Sequence, residues 1–452
     1  MTATAAERLV DGVLALPRAL PDEIDRVARL HLLDAIGVAV AGSRLGPARA
    51  LPAAPRAQGP CTVLGTGTGT GPAEAALVNG TLVHSLEYDD THTASVMHGS
   101  SVLAPAVLAA AENDGVNGAD VVRSFVAGWE VLIRLGLAAP SGFQRTGFQG
   151  TSVAGPIAGA IAVGVLSGLD RTALIDAVGV AASFSAGNFT FLSRGATSKA
   201  AQAGIGAQAA ISAVALVRGG ITGAPDVLEG ERGLFGLYAR DPEAASRLAA
   251  LSNDLGSRWH LADAAFKALP CCHFLHPFVE AVATLDASPV GIRRILCRVP
   301  EGQEQIIALP WARKQAPARA DEARWSLPYV LALQVVRGAV VLDDFLGAPD
   351  PAVLEMAGRI EWEPWQGSGY PAVFPAAIEV EFTDGTTRTV QVDDVDGGVR
   401  RPWDATRVTG KFLDNCARAD VAPDQAEKFS DALTSAASPD FSTLRSLVVT
   451  AG

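Results

Sequence analysis

HSLEYDDTHTASVMHG, residues 84–99, packs three histidines, three carboxylates and several hydroxyls into sixteen positions. LVNGTLV (77–83) precedes it and SSVLAPAVLAAAE (100–112) follows, both built from small apolar residues. Polar groups enclosed by such segments must be hydrogen-bonded or paired. The stretch therefore predicts helices packed around a polar knot. Four uses compete for the knot: a metal site, proton transfer, a row of helix caps, or one wall of an anion pocket.

Outward from the knot the chain reads as helix after helix to about residue 255. IDRVARLHLLDAIGVAVAG (24–42) has apolar residues at helical spacing and stops at a glycine. LAPAVLAAAE (103–112) runs into the turn cluster NDGVNG, and ADVVRSFVAGWEVLIRLGLA (119–138), RTALIDAVGVAASF (171–184) and KAAQAGIGAQAAISAVALVRGG (199–220) continue the pattern. The character changes near 285. GIRRILCRVP (291–300) is β-prone, AAIEVEFTDGTTRTVQV (376–392) alternates around Asp384-Gly385 as a hairpin, and GRIEWEPW (358–365) is expected to pair beside it. ARWSLPYVLALQVVRG (323–338) is helical, and helix returns past 400 in VTGKFLDNCARA. The predicted fold is mainly α: a large helical domain from both chain ends (1–255 and 400–452) plus a smaller α+β domain (256–399).

Composition narrows the function. Of 452 residues, 49% are hydrophobic and 19% charged, enough for a large core and too apolar for disorder. Aromatics are 6%, so small residues dominate and favour closely packed helices. A formal charge of -12 argues against nucleic-acid binding and leaves an anionic substrate only through a local basic pocket. Five irregularly spaced cysteines fit reduced thiols in the cytoplasm. The N-terminal MTATAAERLVDG carries Glu7 and Arg8 where a signal peptide would be apolar. The uncharged stretch 146–169 holds six glycines and a proline, which favours a buried core helix over a membrane span.

Three further motifs carry chemistry or invite it. LGTGTGTGP (64–72) has glycine at every second position, which is not a dinucleotide fingerprint, and is expected to be a flexible loop. In AFKALPCCHFLHPFVEAV (265–282), Cys272, His276 and Glu280 are four apart as on a zinc face. Pro277 instead suits the first turn of a helix, which leaves Cys271, Cys272 and His273 in the preceding loop, with Lys267 near an anion-binding helix start. Lysine is scarce, five against thirty-one arginines, and Lys199 and Lys267 both sit among small apolar residues where a substrate carboxylate would be a fitting partner. His92 and His98, six apart, point to different helix faces and make a metal site the weaker reading of the knot.

RLHLLDAIGVAVAG, LVNGTLVHSLEYDDTH…HGSSVLAPAVLAAAE, GFQGTSVAGPIAGAIAVGVLSGL, SKAAQAGIGAQAA, FKALPCCHF and WSLPYVLALQVVRG together resemble, in order and spacing, the MmgE/PrpD family, which includes 2-methylcitrate dehydratase, cis-aconitate decarboxylase and iminodisuccinate epimerase. The resemblance spans essentially the whole chain. It implies a helical domain with an α+β lid, a homodimer, and a cleft that works without metal or organic cofactor. It places His98, Lys199, Lys267 and Tyr329 as catalytic residues, and Glu87, Asp90, Thr91, Gln149, Arg194, Cys272 and His273 against the substrate. Relative to the decarboxylase branch, Glu87 replaces an aspartate, Gln149 and Cys272 each replace a histidine, and one residue is inserted between Thr91 and His98.

The implied activity is a cofactor-independent lyase that takes the proton α to a carboxylate of a small di- or tricarboxylate, dehydration leading. An epimerase or isomerase, or a cleft that only binds anions, are the alternatives. His98 suits the base and the two lysines suit the developing negative charge. The expected partner is the small anionic substrate, with no nucleic acid and no membrane.

Overall fold

The computed structural model describes residues 3–285, 288–319, 321–435 and 437–448, apart from the Arg194 side chain. The helical part runs α1 (Ala5–Leu14), α2 (Asp22–Arg44), α3 (Pro72–Ser85), α4 (Ser100–Asp114), α5 (Ala119–Ala138), α6 (Gly142–Arg145), α7 (Gly150–Leu166), α8 (Arg171–Ala182), α9 (Phe191–Arg194), α10 (Ser198–Arg218) and α11 (Ala244–Ser252). Short strands β1 (Cys61–Thr62) and β2 (Gly69–Thr70) pair with each other, so the glycine-rich stretch is a small hairpin rather than a free loop. Positive φ at Gly65 and Gly67 allows its tight turn.

The small residues do what the composition predicts. α3 and α10 lie so close that a Cβ on Gly80 would sit 2.8 Å from the Gly204 Cα. The uncharged α7 is a buried core helix packed on α4, α5, α8 and α10. Among the described residues, Ser198–Arg218 alone is long and apolar enough to cross a membrane, and over half of it is buried in this packing.

The chain crosses into a second core through β4 (Ala264–Ala265), which pairs antiparallel with β3 (Thr91–His92), Thr91 opposite Ala265. After α12 (His276–Ala283) comes β5 (Ile292–Pro300), then α13 (Glu304–Ile307), α14 (Trp311–Gln315), α15 (Leu327–Arg337) and α16 (Pro351–Ala357). Strands β6 (Ile360–Trp365), β7 (Ala376–Phe382) and β8 (Thr387–Val392) complete a sheet of order β6-β5-β7-β8. The hairpin at Asp384-Gly385 is present, but β6 pairs parallel with β5 and does not touch it. Parallel pairing needs a crossover, here α13–α16, and leaves no local sequence mark.

α17 (Ala405–Arg418) and α18 (Pro423–Thr434) then return to the first core, where Phe412 and Phe429 pack with residues of α2. A Cβ on Gly37 would meet the Phe412 ring at 2.8 Å, so the returning helix sits directly on α2. The second core runs from Ala265 to Val395. The knot lies where the two cores meet.

Candidate active site

α3 ends at Ser85, and the chain turns through Leu86, Glu87 and Tyr88 with φ of +52° at Glu87. A non-glycine residue holds that conformation only when its surroundings fix it, at a cost of about 1–3 kcal/mol. Here three buried cations do so. Arg324 Nη1 donates to the Leu86 carbonyl at 2.6 Å, Lys267 Nζ to that of Glu87 at 3.1 Å, and Lys411 Nζ to that of Tyr88 at 2.8 Å. They come from the second core, the crossing segment and α17. All sit just past the carboxyl end of α3, where the helix dipole favours positive charge.

The two aspartates that follow face opposite ways. Asp90 accepts from His31 of α2 at 2.7 Å and from the Ser100 N–H at 3.2 Å, so it pins the start of α4. The expectation that Asp90 contacts substrate is therefore corrected: it does not line the cavity below but serves as a helix cap and an anchor, one of the four uses open to the knot. His31 in turn stacks on Phe266 at 4.2 Å. Asp89 accepts from His84 Nδ1 at 2.8 Å and lies 3.9 Å from Lys267 Nζ.

Glu87, Thr91, His98, Gln149, Lys199, Cys272 and His273 line one cavity. His98 Nδ1 is 3.0 Å from both the Asp90 carbonyl and Thr91 Oγ1. A carbonyl only accepts, so Nδ1 carries the proton and Nε2 keeps its lone pair for the cavity. Burial, reinforced by Lys199 and Lys267, drives the His98 pKa well below the usual 6.5, which keeps the ring neutral. Lys199 and Glu87 form a buried ion pair, and Lys267 Nζ is 3.5 Å from the second Glu87 oxygen. Burial raises the Glu87 pKa, but the two ammonium groups outweigh it and hold the carboxyl at about 2. The lysines thus have a resident anion already.

The facing wall comes from the loop before α12. Burial pushes the Cys272 thiol up to about 11, so it stays protonated. His273 is buried, its pKa lies well below 6.5 through burial, and neither ring nitrogen has a hydrogen-bond partner among the described residues. Glu280, the third residue of the four-apart spacing, pairs with Arg401 at 2.7 Å. Gln149 caps α7, its side-chain oxygen accepting from the Ser152 N–H at 2.7 Å.

Other expectations move. Lys267 does not line the cavity; it is fully buried behind Glu87, a positioning group instead of a substrate contact. Tyr329 is buried in the second core, where its hydroxyl accepts from the Asp350 N–H at 3.0 Å, so its catalytic assignment is withdrawn. Arg194 closes α9, but its side chain lies outside the described residues. The sequence reading missed Phe189, Phe191, Phe274, Ile306, Trp325 and Phe374 on the cavity walls. It also missed Lys411 and Lys314, although the scarcity of lysine was the signal that would have found them. Lys314 Nζ donates to the carbonyls of Ile306 and Trp325, at 2.6 and 2.8 Å, and so fixes two of those walls.

Residues 14–247 match the MmgE/PrpD N-terminal domain and residues 269–435 the MmgE/PrpD C-terminal domain. The chain belongs to the MmgE/PrpD family. The chain is an enzyme of the MmgE/PrpD type. It is similar to a cis-aconitate decarboxylase of Aspergillus terreus, 27% identical over 424 residues that cover 87% of this chain and 85% of the relative. It is also similar to the cis-aconitate decarboxylase-like protein oryM of Aspergillus oryzae (28% over 403 residues, 82% of each). The Homo sapiens cis-aconitate decarboxylase is 28% identical over 368 residues, 77% of this chain and 73% of that protein. The boundary between the two MmgE/PrpD matches falls on the segment that contains β4 and Lys267, where the two cores join.

Proposed function

We propose that this MmgE/PrpD enzyme is a lyase that removes the proton α to the carboxylate of a small acid without a metal or organic cofactor. Loss of water is the favoured outcome, as in a 2-methylcitrate dehydratase-like reaction. The observation that carries this is His98: its Nδ1–H is bound to a main-chain carbonyl, and its neutral Nε2 opens to the cavity beside Lys199. A neutral imidazole is the competent base, and Lys199 stabilises the negative charge that develops next to the carboxylate. The proton that His98 takes from the α-carbon passes to the departing hydroxyl, which leaves as water, and His273, on the facing wall, donates a hydrogen bond to that oxygen. The second core acts as a lid over this cleft (256–399 against 1–255 and 400–452), and the working form is a homodimer.

Decarboxylation is the second reading, favoured by the names of the relatives and by the apolar walls, which destabilise a carboxylate more than carbon dioxide. Epimerisation would use the same base. Proton NMR of EDTA-treated enzyme in deuterated water separates the three. Dehydration gives a vinyl signal with no loss of carbon, decarboxylation releases carbon dioxide, and epimerisation exchanges the α-hydrogen alone. Activity that disappears with EDTA and returns with stoichiometric zinc would overturn the metal-free mechanism and point to His84, Asp89 and His98, whose ligand atoms lie within 4.8 Å of one another.

A further inference from the structure

We propose that His92, His260 and Asp263 form a binding site for one divalent transition-metal ion, zinc foremost, outside the catalytic cavity. The proposal does not depend on the reaction assigned to that cavity.

The three residues come from two backbone segments that the fold fastens together. His92 ends β3 and pairs opposite Ala264 of β4. His260 and Asp263 open and close the helical turn just before that strand. Glu130 fixes this turn, accepting from the His260 and Leu261 N–H groups at 3.1 and 2.9 Å. One ligand atom from each of the three side chains lies within 4.8 Å of the other two. Ligands about 2.0 Å from a tetrahedral zinc stand about 3.3 Å apart, so an inward movement of less than about 1 Å by each atom closes the set on an ion. Two imidazoles and one carboxylate are the donors of open zinc and non-haem iron sites, where water takes the remaining positions.

Two features distinguish these side chains from mere neighbours. His260 is only 9% exposed, and its Nε2 is buried with no hydrogen-bond partner among the described residues. A bare buried polar atom costs about 1–3 kcal/mol, and in the proposed site this nitrogen meets the ion. His92 Nδ1 lies 2.8 Å from Ser95 Oγ, the outer contact that orients a metal-bound histidine and leaves Nε2 to bind. Ion binding gives up only the longer contact from the Ser95 N–H to Nδ1, at 3.2 Å.

The neighbouring charges permit a cation. Asp263 is paired with Arg258, whose side chain is 52% exposed, and an exposed ion pair is weak enough for a divalent ion to displace or share. Arg134, the other cation acting on His260, is already met by Glu130 and Asp254. The consequence of binding is mechanical. The backbones of His92 and Met97 bridge, closing the turn that leads from Thr91 to His98. An ion on His92 fastens that turn to the segment crossing into the second core and stabilises the fold without entering the cavity.

The test titrates zinc chloride into EDTA-stripped, dialysed full-length protein by calorimetry, with cobalt(II) absorption as a second readout. The expected result is one zinc per chain with Kd at or below about 1 µM, a thermal midpoint raised by zinc, and cobalt d–d bands without thiolate charge transfer. Asp263→Asn should weaken zinc at least about tenfold and His260→Ala at least about 100-fold. His84→Gln, which breaks the other cluster of possible ligands, His84, Asp89 and His98, should leave the zinc affinity unchanged. No zinc binding by the wild type at about 100 µM overturns the proposal whether or not any variant folds. So does binding that is undiminished in folded Asp263→Asn or His260→Ala, that is lost in folded His84→Gln, or that shows the thiolate band of a cysteine site. The metal-free lyase reading is tested separately, since it requires the stripped enzyme to stay active whichever way the zinc titration falls.

Discussion

Two walls face the cavity, and they are built on opposite terms. The wall of Glu87, His98 and Lys199 is saturated: the carboxylate meets two ammonium groups, and His98 Nδ1 has both a carbonyl and a hydroxyl. The wall of Cys272 and His273 is polar but uncommitted, its imidazole without a hydrogen-bond partner among the described residues and its thiol protonated. The difference separates two requirements of a site. A base must be aimed before substrate arrives, which takes paired charges and fixed backbone. A group that meets the substrate must instead be left free, at the cost of a buried donor unsatisfied in the empty enzyme.

The sharpest break in that comparison comes from the saturated wall. His98→Gln keeps the size and a hydrogen bond but removes the base, and kcat/KM should fall at least about 100-fold with the thermal midpoint little changed. Steady-state kinetics beside a melting curve checks it, and a loss below threefold would deny His98 its role.

Next comes the support behind that wall. Lys411 Nζ pairs with Asp34 at 2.8 Å while holding the Tyr88 carbonyl. Lys411→Met leaves Asp34 buried and unpaired, which should lower unfolding stability by about 3–5 kcal/mol in a denaturant titration. Activity should fall with it as the Glu87 turn loosens. A stable variant with full activity would show that the turn holds its own shape.

The smallest effect belongs to the other wall, and its sign differs. His273→Phe removes a buried imidazole that has no hydrogen-bond partner among the described residues, so stability should stay level or rise by about 1 kcal/mol. KM should rise several-fold as the donor to the substrate is lost. A stability loss as large as that of Lys411→Met would mean the two walls are not different in kind.

How much of this was legible in the sequence follows from how local each feature is. Glu87, Thr91, His98 and Lys199 stood out because charge and hydroxyls are rare against an apolar background, and the structure brings all four to one cavity. The same signal did not tell Asp89 from Asp90, since neighbouring residues of a turn point to different helices only once those helices are packed. Tyr329 came from the family pattern alone, and its hydroxyl is taken up inside the second core. The aromatic wall was hidden for a different reason. Phe189, Phe274, Trp325 and Phe374 come from four separated segments, and no spacing joins them before the chain folds. Helices were readable from period; the place of β6 was not, because its partner lies more than sixty residues upstream.

The claim on which all this depends is the state of one ring, and nitrogen NMR of His98 reads it directly. Across a pH titration of the uniformly ¹⁵N-labelled enzyme, the ring should remain neutral with the proton on Nδ1 from about pH 8 to below 6.5, because its folded pKa lies well under that value. The neutral form exists above the pKa, so kcat/KM should stay flat across the same interval. A ring that takes up a second proton near pH 6.5, or one that carries its proton on Nε2, would contradict the account, since neither leaves a base facing the cavity.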